Sequence, residues 1–243
     1  NCPRMALIRP QLLRSRGSVS GVRLMALNET SILDCPIVKG LTRRVSVWDD
    51  TVTSYDQGDE AANWLSTFLN RDVRLVYVGD ERRAVGDAEK FAIAPGKDSV
   101  AFSDGYPILL ASEESLEDLN SRLKEAIPMK RFRPNVVVRG AGAFSEDRWK
   151  EFHINDIKMY GVKRCCRCKI PTTNQLTAER SKEPTKTLET YRRGKVKTSG
   201  VFFGQNVIHE QRNWFSETFL SARTISIGDP VRVLNEGEIP ETS

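Results

Sequence analysis

The feature that most restricts the fold is a succession of short β-forming runs, closed off by glycine, proline and charged residues, along most of the chain. "LTRRVSVW" (41–48) alternates at Val45 and Val47, and "VRLVYV" (73–78) is rich in β-branched and aromatic residues. "PILLA" (107–111), "NVVVRG" (135–140), "IKMYGV" (157–162), "GVFFGQNVI" (200–208) and "ARTISIGDPVRVL" (222–234) continue the pattern. In the last run Gly228, Asp229 and Pro230 predict a turn between two strands. Helical periodicity is confined to two stretches. In 56–71, Ala61, Trp64, Leu65, Phe68 and Leu69 share one face, with Asp56 as the expected N-cap. In 112–128, Leu116, Leu119, Leu123 and Ile127 form a stripe, capped by Ser112 and ended by Pro128. Strand–helix alternation is too sparse for a parallel α/β sheet. The expected class is mostly β with a few helices (α+β), arranged as barrels.

A chain of 243 residues accommodates one large domain or two smaller ones. The segment 79–99 is rich in glycine and charge and has little periodicity, so a boundary is expected near its start, dividing the chain into 1–82 and 83–243. The polar stretch 171–199 reads as a long loop, either functional or disordered. With 39% apolar and 28% charged residues the composition is that of an ordinary globular protein. No apolar run reaches the roughly 18 residues of a membrane span. The opening "NCPRMALIRPQLL" has neither an initiating methionine nor a signal-peptide core, and it reads as processed, trimmed or fragmentary. The net charge of +5 includes basic clusters at 158–169 and 192–197. These read first as solvated faces and next as docking sites for an acidic protein. Nucleic acid is disfavoured, because aromatic residues do not interleave with the basic ones.

Three of the five cysteines fall in "KRCCRCKIPTTNQ" (163–175), as Cys165, Cys166 and Cys168. An odd, uneven set argues against a secreted disulfide framework and for a reducing compartment. Four readings of the cluster stand. Zinc would need a second ligand pair beside Cys165 and Cys168, and Cys166, Cys2, Cys35, His153 and His209 supply none. A redox pair would open a helix, which Pro171 opposes. Packed inert thiols are the third reading. The fourth is a single thiolate acting as a soft metal ligand, favoured by Lys163, Arg164, Arg167 and Lys169, whose cations also suit a phosphate-bearing cofactor.

"CCRCKIPTTNQLTAERSKEPTKTLETYR" (165–192) resembles the C-terminal part of MOSC-domain proteins of the amidoxime-reducing-component branch. "FSDGYPILLASEESLEDLNSRL" (102–123), "FRPNVVVRG" (132–140), "FGQN" (203–206) and "ISIGDPVRVL" (225–234) match the same family in the same order. The "KIPTTNQ" wording is most similar to plant and algal members. The resemblance implies a MOSC β-barrel preceded by a MOSC N-terminal β-rich domain, with a molybdenum cofactor, a pyranopterin carrying a phosphate. It makes Cys168 the molybdenum ligand, Arg167 its neighbour, and Arg133, Asn135 and Asp104 cofactor-binding positions. Cys165 matches the family's non-ligating cysteine. Two family elements, a "YPVKS"-like lysine–serine pair and a "DR-x-W" arginine, do not occur, so the N-terminal domain is expected to be truncated.

The implied activity is two-electron reduction of amidoximes, hydroxylamines and N-oxides, with electrons from cytochrome b5 reductase and cytochrome b5. His153 and His209 have no part in it. The alternatives are a cofactor carrier, related to the sulfurases whose upstream domain uses pyridoxal phosphate, or an inactive fragment. A cytoplasmic or mitochondrial location is expected.

Overall fold

The computed structural model describes residues 2–27, 31–86, 98–195, 200–210 and 224–239. Most of the predicted connection 79–99, the 196–199 part of the polar loop with Lys197 of the second basic cluster, and the start of the 222–234 run lie outside them. The chain is mostly strand and divides into two compact units, Asn1–Arg83 with Thr173–Ser181, and Ala84–Thr172 with Lys182–Ser243.

In the first unit, β1 (Ile8–Ser15), β2 (Ser18–Ala26) and β3 (Ile32–Pro36) form an antiparallel meander. Arg16 and Gly17, both at positive φ, make the tight turn between β1 and β2. A second meander joins β4 (Thr42–Val47), β5 (Asp50–Asp56) and β6 (Val76–Val78). Helix α1 (Asp59–Leu69) lays Ala61, Leu65, Phe68 and Leu69 on Leu24, Ala26, Leu33 and Cys35, so the predicted stripe is core-facing.

Asp56 is not the cap of α1; Gly58 holds that position. Asp56 is instead a buried carboxylate that accepts from Arg43, from Arg74 at 2.6 Å and from the Gly58 N–H at 2.8 Å. Arg74, then Arg43 and Gly58, hold its carboxyl well below the usual carboxylate range against the opposing effect of burial. A depressed acid contributes stability that is full above its ordinary pKa of 3.8 and is lost as pH falls toward the folded value. Asp56→Asn is therefore expected to cost about 3 kcal/mol at neutral pH, the low end for a broken buried pair because both arginines stay part-exposed. Its deficit relative to wild type should shrink below pH 3.8 in urea unfolding followed against pH.

Two-residue strands β7 (Arg83–Ala84) and β8 (Ser99–Val100) come next in sequence. The second unit is built on a six-stranded half-barrel sheet, ordered β10-β9-β13-β12-β11-β14. Its strands are β9 (Ile108–Ser112), β10 (Val136–Val138), β11 (Trp149–Ile154), β12 (Ile157–Cys166), β13 (Phe202–His209) and β14 (Val231–Glu236). Only the β9–β10 pair is parallel, and helix α2 (Glu113–Arg122) lies between these two strands in sequence. Leu110, Trp149, Phe152, Met159 and Val207 form one core cluster. Leu119 packs with Phe132, Phe203 and with Leu188 of the short helix α3 (Thr185–Glu189) in another.

Ser112 caps α2 as expected, accepting from Ser115 N at 3.1 Å. The helix stops at Arg122 and not at Pro128. Asn120 explains why the leucine stripe still holds: its amide bonds both the N–H and the C=O of Ile127, so a return loop carries Leu123 and Ile127 to the same cluster. Of the run at 222–234, residues 224–234 hold one strand, β14, and residues 222–223 lie outside the described residues. Residues 224–230 are held as a turn, in which Ser226 N donates to Asp229 Oδ2 and Asp229 N to Ser226 O.

Gly161 lets β12 pass close to β11. A Cβ there would stand 2.0 Å from Trp149 O, against backbone that has no room to move. Gly161→Ala should lower stability by about 1–3 kcal/mol, read as a lower urea midpoint at unchanged slope.

Candidate functional site

The cysteine segment is built by β12. The branched run 157–162 was expected to end at the glycine–valine step, but pairing with β13 continues: Lys163 faces Asn206, Arg164 faces Gln205 and Cys166 faces Phe202. Two register shifts on this stretch twist the strand end before it leaves the sheet. Arg167 N donates to Val201 O at 2.7 Å, and the chain then turns through Cys168 into a 3-10 turn, Ile170–Thr172. Cys165 and Cys166 are thus strand residues and Cys168 is a loop residue.

Opposite this loop runs "KRFRPN" (130–135). A 3-10 turn, Met129–Arg131, leads into Phe132 and then Arg133, whose φ is +57°. A non-glycine residue held left-handed stores about 1–2 kcal/mol of strain. Phe132 stacks on Phe203 with ring centroids 3.8 Å apart, so the "FRPN" and "FGQN" motifs meet in space. Asn135 closes the segment. Its N–H donates to Leu109 O and its Oδ1 accepts from Leu109 N, both at 2.8 Å, which fastens the start of β10 to β9.

The two segments are laced together. Arg167 Nη2 donates to Phe132 O at 2.9 Å, and its guanidinium carbon lies 5.4 Å from the Phe132 ring centroid. Arg131, buried, sends its Nε to Pro171 O at 2.7 Å. Arg167 Nη1 also donates to the Cys165 thiol at 3.0 Å. Burial pushes the Cys165 thiol up, and Arg167 pulls the other way. Cys168 is exposed, and its sulfur accepts from Ile170 N at 3.5 Å.

Of the residues singled out in the sequence, Arg167 and Cys168 lie on one of these two laced segments and Arg133 and Asn135 on the other. Arg133 and Asn135 are exposed there, although Asn135 Oδ1 is committed to Leu109. Asp104 is exposed on the turn before β9, where Gly105 O accepts from Gly86 N and Tyr106 Oη donates to Gly86 O. His153 is half-buried on β11, and His209 is exposed at the end of β13.

Arg131 was missed, because nothing in the local sequence separates a buried arginine from a solvated one two residues from Arg133. Asp147 was missed for the same reason. It is buried, bonded to Arg192 and 4.0 Å from Arg164 Nη1, and Arg164 in turn lies over the Phe202 ring.

The donor set tests which group could sit here. All five cysteines are free, and among the described residues no three His, Cys, Asp or Glu side chains converge as a metal cage. Among those residues, no carboxylate lies within ion-pair distance of Arg131, Arg133 or Arg167, and Arg167 Nε is buried without a partner. An exposed loop sulfur, Cys168, next to Arg167 with its unspent Nε fits an anionic, thiophile-bearing cofactor; Cys166, also exposed, is held in the β12–β13 ladder.

The MOSC domain family matches residues 97–232, and the MOSC N-terminal beta barrel domain family matches residues 1–72. Mitochondrial amidoxime-reducing component 1 of Mus musculus is 37% identical over 74% of this chain and 52% of its own length. The Homo sapiens protein of that name is 35% identical over 74% of this chain and 53% of its own. For the Xenopus laevis protein the figures are 30%, 97% and 68%. The chain thus spans about half the length of the mouse and human relatives. With both domains matched and these relatives beside it, the chain belongs to the MOSC-domain family, in company with the amidoxime-reducing components.

Proposed function

We propose that the protein is an N-reductase that carries a molybdenum cofactor and reduces N-hydroxylated compounds: amidoximes first, then hydroxylamines and N-oxides. The observation that carries this reading is the exposed Cys168 thiol next to Arg167, on a segment that Arg167 laces to the Arg133 segment, neither arginine having a carboxylate partner among the described residues. The cofactor, when bound, supplies the two-electron chemistry that N–O cleavage requires, with two protons consumed and water released.

The chain's own groups have separate tasks. Cys168 would hold the metal as its thiolate. Arg167 and Arg133 would balance anionic charge on the cofactor, and the buried Arg167 Nε gains an acceptor by doing so. Asn135 can offer its Nδ2, since its Oδ1 is taken by Leu109. Asp104 is carried as a further cofactor-binding position on its resemblance alone. No histidine has a place in the scheme.

Electrons would come from cytochrome b5 and its reductase. Cytochrome b5 is acidic, and a net charge of +5 on this chain favours steered docking. The relatives are named mitochondrial, and we place this protein there too. Among the described residues no helix is long and apolar enough to cross a membrane.

The test is molybdenum content by elemental analysis of purified protein, paired with benzamidoxime reduction in a reconstituted chain of NADH, reductase and cytochrome b5. About one metal per chain with turnover supports the reading. Metal without turnover, together with transfer of cofactor to an apo-acceptor, would replace it with the carrier role.

A further inference from the structure

Two arginines cross between the segments that form the candidate site, each ending on a carbonyl of the other. Arg167, next to Cys168, reaches Phe132 O at 2.9 Å, next to Arg133. Arg131, two residues before Arg133, reaches Pro171 O at 2.7 Å, three residues after Cys168. The bonds run in opposite directions; their ends on one segment bracket Cys168, and on the other both fall just before Arg133. Each ends on a backbone carbonyl, so each fixes the path of the main chain rather than the rotamer of a neighbour. Charged donors make these bonds stronger than ordinary amide hydrogen bonds.

Arg131 is also an expensive residue to keep. It is 9% exposed, no carboxylate neutralises it among the described residues, and burial draws its pKa down. Leucine or methionine would fill the same space without a desolvation cost. The local return for that cost is the bond to Pro171 O. The backbone it steadies is a single 3-10 turn, Ile170–Thr172, in which Thr172 N donates to Lys169 O at 3.2 Å and Ile170 N to the Cys168 sulfur at 3.5 Å. So short a turn does not hold its shape unaided.

We propose that Arg131 is a positioning residue: with Arg167 it forms a reciprocal guanidinium–carbonyl clamp that sets the Cys168 loop against the Arg133 loop, so that the thiolate and the cation address one bound group. It touches neither cofactor nor substrate and acts through the backbone at Pro171. The existence of the clamp is independent of the function proposed above; its purpose, presenting Cys168 to a cofactor, rests on that reading.

The experiment compares wild type, Arg131→Met and Arg131→Lys as full chains, with two readouts. The first is amide hydrogen exchange across 167–173 in protein prepared without cofactor. Loss of the Pro171 bond should speed exchange at Ile170 and Thr172 by about tenfold in Arg131→Met. Lysine, which still offers a charged donor, should restore protection to within about twofold of wild type. The second readout is molybdenum per chain in protein expressed with cofactor supply. It should fall severalfold in Arg131→Met and recover in Arg131→Lys.

Unchanged exchange in Arg131→Met overturns the clamp. Faster exchange with undiminished molybdenum overturns its purpose. Failure of the lysine variant to recover either quantity, when it folds, also counts against the proposal. Should Arg131→Met not fold, Arg131→Gln takes its place, keeping a neutral donor with expected exchange between the other two. If wild type itself holds no molybdenum, the N-reductase reading fails, while exchange still decides whether the clamp exists.

Discussion

Cys168→Ala is expected to abolish both molybdenum retention and benzamidoxime reduction while leaving the fold untouched. The two halves of that expectation have separate grounds. Cys168 is exposed in a loop, and its sulfur makes one long contact, to Ile170 N at 3.5 Å. Removing it should alter stability by no more than about 0.5 kcal/mol, the usual range for surface substitutions. Losing a residue that merely orients a metal ligand costs about 10–100-fold in affinity, and losing the proposed protein ligand should exceed that range. The informative controls are its neighbours. Cys166→Ser should keep metal and turnover, because Cys166 is exposed at the strand end and faces Phe202 in the ladder. Cys165→Ala removes an acceptor from Arg167 Nη1 and should weaken metal retention only partly. Elemental analysis and turnover on the three variants separate one ligating sulfur from a shared thiol cluster. Retention of metal by Cys168→Ala would end the assignment.

How much of the fold was legible in the sequence differs from strand to strand. The strands at 107–111, 157–162 and 200–208 were legible because apolar, branched and aromatic residues there serve a buried sheet face, and 41–48 by the alternation of Val45 and Val47, which are half-buried between exposed neighbours. The first two strands of the chain were not. β1 contains Pro10 and four polar side chains, which an edge strand tolerates because one row of its backbone groups needs no ladder partner. β11, "WKEFHI", hid for another reason. Its pairing with β14 shifts register on both sides of Glu151, so Trp149 and Phe152 are both buried three residues apart and strict alternation fails. The cysteine segment itself was half legible. The thiols and flanking cations could be read, but strand pairing decides that Cys165 and Cys166 lie in the sheet and Cys168 beyond it. Long-range partners were invisible throughout. Asp56 reads locally as a helix cap, yet Arg43 and Arg74, far from it in sequence, decide its role.

The largest stability effect should come from Glu146, another residue whose neighbours no local pattern announces. Its carboxylate is fully buried and accepts from Ser112 N at 3.2 Å, Ser112 Oγ at 3.0 Å and Ser115 Oγ at 2.7 Å. Ser112 ends β9 and caps α2, and Ser115 Oγ also accepts from Phe144 N. One carboxylate therefore joins a strand end, a helix start and the 3-10 turn Ser145–Arg148. Glu146→Ala strands three buried donors at once and should cost about 3–5 kcal/mol, enough to unfold many single domains. Glu146→Gln keeps the volume and one acceptor oxygen and should cost about 1–3 kcal/mol near neutral pH. The pH dependence tests the cause. Burial drives the Glu146 carboxyl above its ordinary 4.5, more than the serine hydrogen bonds pull it down. A raised folded-state pKa means that the native chain holds its proton where the unfolded chain has released it. The stability so gained is full below pH 4.5 and is lost as pH rises through the folded value. Wild type should therefore exceed Glu146→Gln most at low pH, and the gap should narrow as pH climbs, the reverse of the trend expected for Asp56→Asn. Urea midpoints for the two variants against wild type between pH 3 and 8 would check both signs in one series. A gap for Glu146→Gln that widens with pH would show that the serine bonds, not burial, govern this acid.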